Sequence, residues 1–228
     1  MPGLSLVTPS MGSLILGSAS PRRRHLLRAI VAPFDVDAAD IDETPHPDEA
    51  ASALARRLAR EKAAALASRW PAALILAADS VVARDGVPLG KPAGADDARA
   101  MLRSLRGGTH RVVTGLALAQ SSALIWEGAS ETTVAMRAYG DEEIERYIAT
   151  GRPFDKAGAY AIQDREFAPV ASIAGCYPNV VGLPLCETRR ALTFAGFLTL
   201  PASEAGGDGV GTPACTLCTL ARSIEPPA

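Results

Sequence analysis

The stretch Ser13-Leu14-Ile15-Leu16-Gly17-Ser18-Ala19-Ser20-Pro21-Arg22-Arg23-Arg24 constrains the fold more than any other. An apolar run of strand length stops at a turn of small residues, after which Ser20 can cap a helix whose first position is Pro21, where a missing N–H costs nothing. This predicts a strand, a tight turn and a helix start in immediate succession. Unpaired backbone N–H groups and the positive end of a helix dipole then face out of the turn, and the arginines add charged forks that match phosphate oxygens. Two readings stand for this stretch alone: an anion site, most simply for phosphate, or a solvated basic turn.

The rest of the chain narrows the choice. Its 228 residues suffice for one sizeable core, and the formal charge of -2 carries no basic excess and no block of like charges. A long nucleic acid held through phosphate contacts is therefore disfavoured, whereas a small charged ligand is not. The apolar run 72–78 is far shorter than the roughly 18 residues that span a bilayer, and no basic region precedes the first apolar stretch, so no membrane span and no cleaved signal is expected. A cytoplasmic protein is the expectation. Cys176, Cys186, Cys215 and Cys218 are too sparse for a disulfide framework. Cys215 and Cys218 have C-x-x-C spacing but lie in a Gly-, Pro- and Ala-rich tail without a second ligand pair, which favours free thiols over zinc. Residues 1–12 read as a loose lead-in, 13–200 as the folded domain and 201–228 as a disordered tail.

Within the domain, apolar spacing predicts helices over 21–30, 48–69 and 96–105, and another opened by Asp141. In the second of these, Leu54, Leu58, Lys62 and Leu66 follow at four-residue spacing, so Lys62 stands in an apolar row. It either snorkels to water or meets a carboxylate or phosphate partner. The segment Asp40-Ile41-Asp42-Glu43-Thr44 crowds three carboxylates, which suits a solvated acidic loop or a hard divalent cation. The run Ala72 to Ser80 reads as a strand covered on both faces and closed by Asp79, and the carboxyl ends of strands in open α/β sheets are where ligands bind. Asp85-Gly86 marks a hairpin tip, and Gly90-Lys91-Pro92 a constrained turn that lacks the spacing of a P-loop. A second central strand runs from His110 to Leu118, with His110 as a hydrogen-bonded structural group. Residues 124–126 and 132–136 read as a pair of strands, and Asn179 to Leu185 as a short apolar strand running into a helix with Pro184 near its start.

Taken together, Ser18-x-Ser20-Pro21-Arg22-Arg23, Asp42-Glu43, Arg60-Glu61-Lys62-Ala63, Ala78-Asp79, Gly90-Lys91-Pro92, His110-x-Val112-x-Thr114-Gly115, Asp155-Lys156-Ala157-Gly158-x-Tyr160 and Asn179-Val180-Val181-Gly182-Leu183-Pro184 resemble the Maf family of nucleoside triphosphate pyrophosphatases. The resemblance runs in order from Leu14 to Gly196. It implies an α/β fold, a mixed twisted sheet with helices on both faces and two lobes around a central cleft, similar to inosine triphosphate pyrophosphatases. It further implies a divalent cation, Mg2+ or Mn2+, hydrolysis of a nucleoside triphosphate to monophosphate and pyrophosphate, and a cytoplasmic homodimer.

By the same resemblance Asp79 is the general base, and Arg22, Ser80 and Gln163 bear on substrate choice, in the pattern of the branch that prefers dTTP and UTP. Ser18, Ser20, Arg23, Lys62, Lys91 and Lys156 become phosphate-binding groups, and Glu43 with Asp79 the metal ligands. Two features depart from that branch. Ser80 stands where threonine is usual, keeping the hydroxyl and losing the methyl, and residues 164–167 replace a stretch that is usually longer and glycine-rich. The competing expectations are a nucleotide-sensing regulator of septum formation and a house-cleaning hydrolase of modified nucleotides such as 7-methyl-GTP.

Overall fold

The computed structural model describes residues 12–198. Its sheet is built from β1 (Leu14–Gly17), β2 (Asp35–Val36), β3 (Leu74–Arg84), β4 (Val87–Leu89), β5 (Thr109–Gln120), β6 (Ala123–Met136) and β7 (Val170–Ala174). The helices are α1 (Pro21–Arg28), α2 (Ala51–Arg69), α3 (Ala95–Leu105), α4 (Asp141–Ala149), α5 (Tyr177–Val181) and α6 (Leu185–Phe194). Strand order is β2-β1-β3-β5-β6-β7, with β4 added to β3. Pairings of β1 are parallel and the others antiparallel.

The two-residue period of the strands divides the core. Leu14, Leu16, Leu74, Leu76, Leu116 and Leu118 meet Leu26 and Leu27 of α1 and Leu192 of α6 on one face. Ile15, Ile75, Ala77 and Ala117 face α2, which answers with Ala59, Ala63, Leu66 and Ala67. Alanines on that helix and Gly115 on the strand let the two backbones approach closely; a Cβ at Gly115 would stand 2.2 Å from the Ala55 carbonyl oxygen. Beyond Ala78, a second group forms around Val82, Leu102, Leu105, Val112, Tyr139 and Ile144, where α3 and α4 cover the sheet. The mixed sheet with helices on both faces is as the sequence led us to expect.

One property of β3 positions everything else. Along one edge it pairs with β5 from Ile75 to Ala83. Along the other it pairs with β1 only as far as Ala77, and with β4 only from Val82. Among the described residues, 78–81 therefore have no strand on that edge. β1 ends beside Ala77 and β4 ends beside Val82, so both chains leave the sheet at this gap, which is the floor of the crevice.

Several elements differ from expectation. β3 does not end at Asp79 but continues through Val81, Val82 and Ala83, because both polar side chains at its middle find partners. Residues 124–126 and 132–136 belong to one continuous strand, β6; the ring of Trp126 folds over Gly128, where a Cβ would lie 2.2 Å from it, and bridges a segment that reads as a break. The apolar run at Asn179 is helix, not strand: Pro178 sits in the first turn of α5, and Gly182 at φ 126° stops it. Helix α2 begins at Ala51 rather than Asp48, and α1 ends at Arg28 rather than Ile30. β7 has no counterpart in the sequence reading. The lead-in to Met11, the tail over 201–228 and the pair Cys215 and Cys218 lie outside the described residues.

Candidate active site

The turn after β1 forms as its residues predict. Ser20 caps α1, its Oγ accepting the Arg23 N–H at 3.4 Å, with Pro21 in the first turn and no acidic residue there. Ser18 Oγ accepts the Ser20 N–H at 3.2 Å. The positive end of α1 is thereby turned toward the gap in β3 without a local carboxylate to neutralise it. Arg23 crosses the turn, donating from Nε to the Gly182 carbonyl (2.8 Å), from Nη1 to Ser18 Oγ (3.2 Å) and from Nη2 to Ser80 Oγ (3.0 Å). Burial lowers its pKa and Arg22 adds to this, opposed by the nearby Asp79 and Glu43 carboxylates.

Asp79 and Ser80 leave β3 toward opposite faces of the sheet. Asp79 faces α2, where the Lys62 ammonium donates to its Oδ1 at 2.5 Å. Both residues are 8% exposed, so each satisfies a group that could not be buried alone. The same ammonium lies 2.6 Å from Glu43 Oε1, on the loop before α2. Burial disfavours the charged form of Glu43, but Lys62, Lys91 and Arg23 outweigh it and hold the carboxyl below its usual range. Lys62 thus has a partner rather than a path to water, and the acidic segment has one member, Glu43, in the crevice.

On the opposite face Ser80 begins a buried polar chain. Its Oγ shares a hydrogen bond with Thr114 Oγ1 at 2.8 Å, and Thr114 donates to the Asn179 carbonyl at 3.2 Å. The Asn179 amide donates to the Val112 carbonyl and to Thr132 Oγ1, each at 2.9 Å. Thr114 and Asn179 are fully buried. Sequence reasoning quoted both but gave neither a role; a hydroxyl and an amide inside apolar runs were the available signal.

The far wall comes from the turn after β4, which carries Lys91, and from the segment around the 3₁₀ turn Ala157–Ala159. These are tied by a bond from the Gly158 N–H to the Gly90 carbonyl (3.0 Å). Lys156 donates to its neighbour Asp155 (2.5 Å) and to the Arg152 carbonyl (2.6 Å). Asp155 also faces Arg22 at 3.9 Å across the opening. Residues 164–167 make a compact turn in which Asp164 accepts the Phe167 N–H (2.9 Å) and the Arg152 guanidinium (3.0 Å), fixing the chain after Gln163. His110 lies behind the wall, its Nε2 hydrogen-bonded to Tyr160 Oη at 2.7 Å.

These parts enclose a cavity of about 680 Å³, within the range of small-molecule sites. Every candidate residue named from the sequence lines it: Ser18, Ser20, Arg22 and Arg23 from the first turn, Glu43, Lys62, Asp79 and Ser80 at the floor, and Lys91, Lys156 and Gln163 opposite. Five cationic side chains face three carboxylates there, which suits a polyanion. Among the described residues no three His, Cys, Asp or Glu side chains converge as a metal-binding group. Glu43 and Asp79 do converge, on the ammonium of Lys62, and two carboxylates with substrate phosphates and water meet the needs of a hard cation such as Mg2+. Among the described residues no helix is long and apolar enough to cross a membrane.

A family model described as Maf-like protein matches residues 13–195. A relative from Thermomicrobium roseum named dTTP/UTP pyrophosphatase is 49% identical over 214 residues, covering 92% of this chain and 94% of that one. Another of the same name from Myxococcus xanthus is 52% identical over 190 residues, covering 82% and 94%. A solved nucleoside-triphosphatase / dITP/XTP pyrophosphatase from Mycobacterium abscessus aligns over 81% of this chain and 93% of its own with 14% identity; its TM-score of 0.38 is too low to bear on the fold.

Proposed function

The chain belongs to the Maf family, and from that premise and the crevice we propose that it hydrolyses a nucleoside triphosphate, dTTP or UTP, to the monophosphate and pyrophosphate. The observation that carries the reading is the meeting of Asp79 and Glu43 with Lys62 in a cavity also lined by Arg23 and Lys91. Cleavage between the α- and β-phosphates needs an activated water, neutralised phosphoryl oxygens and a stabilised leaving group. Asp79 Oδ1 is held by Lys62, which leaves Oδ2 to orient a water and take its proton. The water oxygen bonds to the α-phosphorus as the bond to the bridging oxygen breaks, and pyrophosphate leaves with that oxygen. Arg23, Lys62, Lys91 and Lys156, with the hydroxyls of Ser18 and Ser20, hold the phosphate chain.

Glu43 and Asp79 would hold a divalent cation, Mg2+ or Mn2+, which when bound supplies further charge neutralisation on the phosphates. Glu43 is the firmer ligand in this reading, since a carboxylate on a metal is a poor proton acceptor. Arg22 and Gln163 read the base edge, and Ser80, whose hydroxyl is committed to Arg23 and Thr114, acts on substrate choice through Arg23. Residues 13–200 form the catalytic domain, working as a cytoplasmic homodimer on a free nucleotide. Pyrophosphate release measured over a panel of standard and methylated triphosphates, with and without Mg2+ or Mn2+, tests the proposal. Metal-dependent release, greatest with dTTP and UTP, is expected; binding without release would point to a nucleotide sensor, and preference for 7-methyl-GTP to the modified-nucleotide branch.

A further inference from the structure

The loop that delivers Glu43 is held at intervals. The Asp37 carboxylate accepts from Arg69 and Trp70, and Ala39 and Ile41 pack against the core. Asp42 Oδ1 accepts the Thr44 N–H at 2.9 Å, which leaves the second half of the loop with one local turn. Residues 37–50 join β2 to α2 without regular structure. From 38 to 45 no main-chain group bonds another main-chain group among the described residues. The direct tie of Glu43 is the Lys62 ammonium, and its side chain is 55% exposed. An ion pair with one partner so open to water is too weak to order a loop of this length.

A clamp on α2 supplies what is missing. The Arg57 guanidinium engages Glu49 with two parallel bonds, Nε to Oε1 and Nη2 to Oε2, both 2.8 Å. Its Nη2 also donates to the Thr44 carbonyl, next in sequence to Glu43, at 3.0 Å. Glu49 accepts the His46 N–H at 3.0 Å, closing the turn between the two anchors. Both side chains of the pair are about one-tenth exposed, at 11% and 10%, so the fork is shielded from water, unlike the pair it supports. A lysine cannot reproduce a two-pronged carboxylate contact together with a carbonyl contact.

We propose that Arg57 is a positioning residue of the active site, locking the 42–49 loop onto α2 so that Glu43 is presented to Lys62, Asp79 and the incoming metal-bound phosphate chain. One helix then carries both the cation that bridges the two carboxylates and the clamp that brings one of them to it. The functional consequence rests on the pyrophosphatase reading; the structural one does not.

Two measurements on the full chain separate them. Endoproteinase Glu-C cleavage after Glu43 is timed in the native protein and in Arg57→Met, with Glu49→Gln, which keeps that site, as the second variant should the first not fold. The clamp predicts cleavage about tenfold faster in the variants, by loss of one charged bidentate contact; an unchanged cleavage rate overturns the proposal. Pyrophosphate release is then titrated with Mn2+. Arg57→Met is expected to raise the half-activating Mn2+ concentration about tenfold while saturating metal restores kcat to within about threefold of the native value. A low kcat that added metal does not restore, or a midpoint that does not move, overturns the positioning role. No pyrophosphate release from the native protein would instead sink the hydrolase reading and leave the cleavage result to decide the clamp.

Discussion

One buried imidazole is expected to contribute to the loss of stability of this protein in acid. His110 is 3% exposed, its Nε2 is paired with Tyr160 Oη at 2.7 Å, and its Nδ1 has no partner. A proton there would place a charge without an acceptor near Arg84, and burial first, then that charge, push the pKa from the usual 6.5 down to about 4. Between pH 6.5 and 4 the unfolded chain therefore binds more protons than the folded one. The stabilisation is fully present above that window and is lost as pH falls through it. At about 1.36 kcal/mol per pKa unit, the whole shift is worth about 3 kcal/mol, of which about 2 kcal/mol disappears between pH 7 and pH 5. Urea unfolding of the native protein and of His110→Gln at both pH values measures it. Carboxylates with lowered pKa, such as Glu43 and Glu49, add acid sensitivity to both proteins and cancel in the comparison. The native protein should lose about 2 kcal/mol more than the variant; parallel losses would refute the assignment.

Three other substitutions probe the framework. Gly115→Ala places a methyl against the Ala55 carbonyl and should cost about 1–3 kcal/mol or prevent folding, read from the thermal midpoint. Asn179→Leu strands the Val112 carbonyl and should cost about 1–3 kcal/mol in chemical unfolding. Ser80→Ala releases Arg23 Nη2 and should raise the nucleotide KM about tenfold, whereas Ser80→Thr keeps the hydroxyl and should leave it within about threefold.

What the amino-acid order reveals and what it conceals divide along a physical line. The turn from β1 into α1 was legible because Gly17, Ser20 and Pro21 each carry a local conformational preference. Lys62 was legible because four-residue spacing placed a charge in an apolar row, although its partner was not. Asp79 and Ser80 looked like the end of a strand, since two polar groups at a strand's buried centre make sense only with partners 17 and 34 residues away in the chain. The same holds for α5, where Val180 and Val181 favour a strand by themselves, and the helix follows from Pro178 and the burial of the Asn179 amide against β5 and β6. Arg57 passed unremarked because an arginine outside a helix's apolar row reads as solvated, and its shielded use depends on where the preceding loop returns.

The central claim is that the gap in β3 gathers acid and cations around one triphosphate, with Asp79 acting on water rather than holding the nucleotide. Asp79→Asn tests it, by equilibrium binding of a non-hydrolysable dTTP analogue beside single-turnover pyrophosphate release from dTTP. The account predicts affinity within about threefold of native and a rate lower by about a thousandfold. A rate near native, or affinity and rate falling together, would contradict it.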